Sequence, residues 1–187
     1  MKMTAGGYDI LRKELFGKID DNQFKAIEFL VEQCKLYGMN YPQCAYSLAT
    51  VYHETGYLTN GKMYRSMQPI KERGSDLYLR GKKYFPYIGY GYVQLTWKDN
   101  YQRVGKLINV DLVNHPELAL EPKIASQIMC EGMLKGWFTG VGFWRKCDVN
   151  KYDRASYVNA RKIINGTDKA GDIADYAMIF ERALRAW

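Results

Sequence analysis

The stretch 50-TVYHETGYL-58 sets a carboxylate, Glu54, beside His53 at the end of an apolar and aromatic run. Two more carboxylates, Glu72 and Asp76, follow in 67-MQPIKERGSDLY-78. A carboxyl group at the rim of an apolar surface can give up a proton, and a carboxylate facing it can take one. Such a pair does general acid–base work on a bond between them. A metal-site reading of His53-Glu54 needs a second histidine where the chain has Tyr57, so the zinc-protease pattern HExxH fails on the residue itself. A structural carboxylate bonded to a buried tyrosine is the remaining rival.

The element that must hold Glu54 is a helix. Asn40-Tyr41-Pro42 opens it, with proline in the first turn where its missing N–H costs nothing, and Gly56 stops it. At about 100° per residue, Cys44, Ala45, Leu48, Val51, Tyr52 and Thr55 share one face, the expected core face. Glu54 falls at its rim beside Ser47 and Thr50. Partial desolvation and the negative end of the helix dipole both disfavour a charged carboxylate there, as a general acid requires.

Other helices frame this one. Residues 21–37 carry Phe24, Ile27, Val31 and Cys34 at helical spacing, with Asp20 or Asp21 as cap and Gly38 as stop. Thr96 is the expected cap of a helix over 97–108, Pro122 starts one running to Gly136, and another spans about 153–164. The last runs from about 170 to the end, with Ile173, Ala177, Phe180, Leu184 and Trp187 on one stripe. Between them, residues 57–93 follow no period and are punctuated by Gly and Pro, with room for a short hairpin. A loop that long in a compact domain is usually functional or disordered. Its tyrosines argue against disorder, and Tyr84, Tyr87, Tyr92 and Trp97 are candidates for rings on which a ligand could stack.

The chain has 187 residues, 47% of them hydrophobic, which suits one folded domain over 1–187. No apolar run approaches the about 20 residues of a membrane helix, and the N-terminus does not read as a secretory signal. The expectation is therefore synthesis in a cytoplasm, with no stable membrane anchor. Cys34, Cys44, Cys130 and Cys147 form no CxxC and are expected reduced, and no metal is expected. The net charge of +7 fits an anionic partner. Seven basic residues against two acidic ones lie between Lys62 and Lys83. No nucleic-acid motif accompanies them, so no nucleic-acid partner is expected. Gly89-x-Gly91 lacks the context of a dinucleotide site.

Four motifs stand in order: HETG at 53–56, ERG at 72–74, 89-GYGYVQLTWKDNY-101 and 163-IINGT-167. Together they resemble glycoside hydrolase family 19, the chitinase family with a lysozyme-like helical fold, and within it the branch of phage and prophage endolysins. The resemblance covers most of residues 40–180. It implies a mainly α, two-lobed domain with the 57–93 loops as one wall of a cleft. It implies Glu54 as general acid, Glu72 as general base and Thr96 as a holder of the attacking water. Gln94, Asn100 and Asn165 match sugar-binding amides, His53 matches a support for the acid, and Tyr92 and Trp97 would also meet substrate. Family 19 inverts, so the carboxylates would stand about 6.5–9.5 Å apart. Where the family has GRG this chain has Tyr90, and Arg73 or Arg65 is a candidate to replace that arginine; Asp76 is a rival base.

The expected activity is a muramidase cutting peptidoglycan, acting on the cell wall after release, as a monomer without a cofactor. A chitinase and a non-catalytic glycan-binding module are the alternatives.

Overall fold

In the computed structural model, residues 1–149 and 152–187 are described. The architecture is mainly helical, as expected, with a few very short strands. Two helices begin with reciprocal caps. Asp20 accepts from the Gln23 N–H and Gln23 from the Asp20 N–H, which starts α2 (Asp21–Leu36). Asn40 and Gln43 do the same for α3 (Tyr41–Glu54), with Pro42 in its first turn. The N-terminal segment forms α1 (Ala5–Leu11) followed by a π-helical turn over Arg12–Phe16.

The central element is α3. Every residue from Pro42 to Tyr52 is buried. The expectation of a single core face is therefore corrected: Tyr46, Ser47, Ala49 and Thr50 are also enclosed, because neighbours cover the helix on all sides. Ser47 and Thr50 satisfy their hydroxyls on the Gln43 and Tyr46 carbonyls. The main neighbour of α3 is α8 (Ala170–Arg185), whose Ile173, Ala177, Phe180 and Leu184 are buried as the stripe predicted. Trp187, placed on that stripe, is instead fully exposed beyond the helix end.

On the other flanks, α3 meets α2 and α6 (Pro122–Lys135), the latter closed by Gly136 in the left-handed conformation, φ +77°. Ile27, Val31 and Cys34 of α2 enter the core, whereas Phe24 is 43% exposed and rests against Tyr8. All four cysteines are buried and free.

After α3 the chain changes character. Strands β1 (Gly56–Thr59) and β2 (Lys62–Arg65) form an antiparallel hairpin with Gly56 opposite Arg65. Strand β3 (Ile70–Lys71) pairs with β4 (Tyr90–Gly91) across a segment containing the five-residue α4 (Asp76–Arg80). Helix α5 (Lys98–Ile108) follows, and its N-cap is Trp97 at φ +74°, not Thr96. The Thr96 hydroxyl donates instead to the Gln94 carbonyl at 2.8 Å. A 3₁₀ turn over Pro116–Leu120 precedes α6, and α7 (Arg154–Ala160) runs into a second at Arg161–Ile163. No helix among the described residues is long and apolar enough to cross a membrane.

Candidate active site

Glu54 is the last residue of α3, and its side chain is 21% exposed. One carboxylate oxygen, Oε1, accepts from both Nη1 and Nη2 of Arg161 at 3.3 Å each. The Arg161 side chain is only 3% exposed, and its Nε donates to the Asp168 carbonyl at 2.8 Å. A buried guanidinium with fixed donors is a demanding partner, because it has no water to replace the carboxylate. This cation reaches Glu54 from outside α3, so the surroundings of the carboxylate are not set by its own helix alone. Arg161 had one legible signal, a position four residues before Asn165 in 161-RKIIN-165.

Glu72 belongs to the irregular wall. Its N–H donates to the Gly89 carbonyl at 2.6 Å, continuing the β3–β4 pairing by one step. Gly89 N–H returns a bond to Glu72 Oε2 at 2.9 Å, and the Tyr84 hydroxyl donates to Oε1 at 2.8 Å. That bond to Glu72 is the main reason the Tyr84 phenol is held above its ordinary value, which keeps it a donor. Gly89 gives the Gln94 side chain its room: a Cβ there would stand 2.7 Å from Gln94 Oε1. Asp76 is exposed in the first turn of α4, and Ser75, not Asp76, caps that turn.

The other expected site residues divide. Gln94 spends its amide N–H groups on the Ile70 and Gly91 carbonyls, at 3.0 and 3.1 Å, and so ties the two sides of the β3–β4 ribbon together. Asn100 donates to the Thr96 carbonyl and takes a bond from Arg103. Both amides brace the loop; a loop polar group can serve chain or substrate, and its sequence position does not tell which. Tyr92 is a correction: at 1% exposure it lies in the core, and no sugar can stack on it. Tyr87 leans on the buried Tyr101 and donates to the Val113 carbonyl.

Trp97 is 51% exposed and meets Tyr84 edge-on at 5.1 Å, so an open aromatic face adjoins the ring that holds Glu72. Asn165 is exposed just past the turn that carries Arg161, and its backbone N–H donates to the Arg161 carbonyl. His53 is half-buried, its Nδ1 has no partner among the described residues, and burial lowers its pKa.

The arginine missing at Tyr90 is not replaced by either residue suggested from sequence. Arg73 lies over the Tyr57 ring at 3.8 Å, and Arg65 donates to the Tyr52 and His53 carbonyls. Arg161 pairs with Glu54 instead, and Tyr90 packs edge-on against Tyr101.

No family model matches the sequence. Among curated proteins, Chitinase 8 of Oryza sativa subsp. japonica is 30% identical over 95 residues, which cover 50% of this chain and 33% of that protein. Endochitinase 1 of Theobroma cacao is 50% identical over 46 residues, 24% of this chain and 13% of that one. The matches thus span about a third or less of these relatives. Among solved structures, chitinase C from Streptomyces griseus superposes with a TM-score of 0.61 at 19% identity, covering 94% of this chain and 90% of that one. A mutant form of chitinase C gives 0.62 at 18%, covering 96% and 92%. The fold is therefore that of chitinase C.

Proposed function

We propose that this protein is a glycoside hydrolase of the family 19 type, acting on β-1,4-linked amino-sugar polymers with inversion. The observation that carries the reading is the pair of differently braced carboxylates, Glu54 on Arg161 and Glu72 between Tyr84 and the Gly89 N–H. Glu54 gives its proton to the glycosidic oxygen as the bond to the anomeric carbon breaks. Arg161 then faces the negative charge that Glu54 acquires. Glu72 takes a proton from water, whose oxygen attacks the anomeric carbon from the opposite face, with Thr96 helping to hold that water. Glu72 is better placed than Asp76 to act on the water because two donors fix its orientation. Trp97 offers a sugar platform beside it.

Peptidoglycan is the polymer we favour. Lys62, Lys71, Arg73, Arg80 and Lys83 are all exposed on the loop wall, and peptidoglycan carries peptide carboxylates where chitin carries no charge. In this reading the enzyme works on the bacterial wall as a muramidase. The chitinase relatives support a second reading, hydrolysis of chitin.

Product analysis decides between them. Peptidoglycan and chitin oligomers are digested with wild type and with Glu54→Gln, and the new reducing ends are identified. Reducing N-acetylmuramic acid, absent with the variant, is the expected result. Cleavage of chitin oligomers alone selects the chitinase. Binding without any product, unchanged in Glu54→Gln, selects a non-catalytic glycan-binding module. Raising the salt should slow wall lysis far more than chitin cleavage, and equal sensitivity would remove the charge argument.

A further inference from the structure

We infer that Arg65 is a positioning residue for Glu54, acting through the end of α3; this rests on the reading of Glu54 as the acid. Arg65 ends β2, opposite Gly56 at the start of β1. Its Nη1 donates to the His53 carbonyl at 3.0 Å and to the Tyr52 carbonyl at 3.3 Å. These are last-turn carbonyls with no helical N–H left to bond, and a cation there also opposes the helix dipole. The guanidinium lies over the Tyr52 ring, 4.8 Å from its centroid.

The next residues complete the clamp. The Ser66 N–H and hydroxyl both donate to the Thr55 carbonyl, and the Met67 N–H donates to the Thr55 hydroxyl. The carbonyls on either side of Glu54 are thus held from one strand end. That strand leads directly through Ile70 and Lys71 to Glu72, so the clamp also joins the acid's helix to the base's ribbon.

Two features show that the contact is specific. A Cβ on Gly56 would stand 2.1 Å from Arg65 Nη1, so a side chain there would have to displace the guanidinium; the glycine's own backbone conformation is open to any residue. Arg65 also lines a cavity of about 510 Å³ with Phe16, Tyr52 and Tyr64. One side of the arginine therefore faces open space, and its hydrogen bonds and the Tyr52 ring hold the other. The Gln23 side chain fixes the Arg65 backbone through its carbonyl at 2.9 Å.

The test uses the full chain with a soluble glycan substrate and four variants: Arg65→Met, Arg65→Lys, Gly56→Ala and Glu54→Gln. Arg65→Met keeps the stem on Tyr52 and removes the donors; it should lower kcat about ten- to a hundredfold with KM within about twofold, the signature of a misplaced catalytic group. Arg65→Lys should recover part of the loss. Gly56→Ala should reproduce it, and the double variant should be no worse than Arg65→Met, since both break one contact. Hydrogen exchange gives an arm independent of turnover. Amides at Thr55 and Gly56 should exchange about tenfold faster in Arg65→Met while those of α6 do not change.

An unchanged kcat in Arg65→Met, with Glu54→Gln inactive, overturns the inference and leaves the activity intact. Faster exchange with unchanged kcat also overturns it, because the clamp is then merely structural. If wild type and Glu54→Gln are alike in cleaving nothing, the proposed activity fails first, and the positioning role with it.

Discussion

The two carboxylates belong to regions built on opposite principles. Glu54 ends a helix enclosed on all sides, and its partner Arg161 comes from 107 residues away. Glu72 sits in a wall of two-residue strands and turns, and its partners Tyr84 and Gly89 lie within 17 residues. A charge holds the first; neutral hydroxyl and backbone donors hold the second. The difference suits the two proposed tasks. A group that becomes negative as it gives up its proton gains from a fixed cation. A group that must orient a water gains from directional hydrogen bonds on both oxygens.

Substituting the two glutamates is the largest test of that contrast. Glu54→Gln and Glu72→Gln should each lower kcat about 10²–10⁴-fold, and the double variant should fall little further. Their stabilities should separate. Glu54→Gln leaves buried Arg161 without an anion and should cost about 1–2 kcal/mol in denaturant unfolding, with Glu72→Gln costing less. Equal costs would mean that the cation contributes nothing beyond a hydrogen bond.

Tyr84→Phe removes one of the two donors from Glu72 and should reduce kcat about tenfold, with little change in melting temperature because Tyr84 lies in the loop wall. A loss in stability with full activity would make Tyr84 a structural residue only.

A smaller effect belongs to the helical side. Burial lowers the His53 pKa below its ordinary 6.5. The unfolded chain then takes up this proton more readily, so the folded state loses stability as pH falls from 6.5 through the lower folded value. His53→Gln should flatten that decline: its melting temperature should drop less than wild type between about pH 7 and about pH 5. Parallel curves would show that His53 is solvated.

The smallest is Tyr92→Phe. The hydroxyl is buried without a partner among the described residues, so removing it should change stability by less than about 0.5 kcal/mol or raise it, and leave KM unchanged. A raised KM would restore Tyr92 to the substrate.

Much of the helical frame was legible. Asp20, Asn40 with Pro42, and Gly136 mark boundaries that hold to within a residue or two, because caps and left-handed stops are local chemistry. The Ile173–Leu184 stripe marks the face of α8 that is buried, because helical period and burial are coupled. Thr96 failed as a cap because the chain turns through Trp97 at φ +74°, a conformation no side-chain preference announces.

By itself, the sequence determined the longer helices, the placement of Glu54 at a helix end and the ordering of the aromatic loop that carries Glu72. The tertiary structure alone decided that Arg161 meets Glu54, that Gln94 and Asn100 brace the loop, that Tyr92 turns inward while Trp97 stays open, and that Arg65 closes α3. The reason is range. Caps and periodic faces are set by residues within a few positions, but the partner of a buried charge or a loop amide is chosen by whichever distant segment the packed core brings alongside.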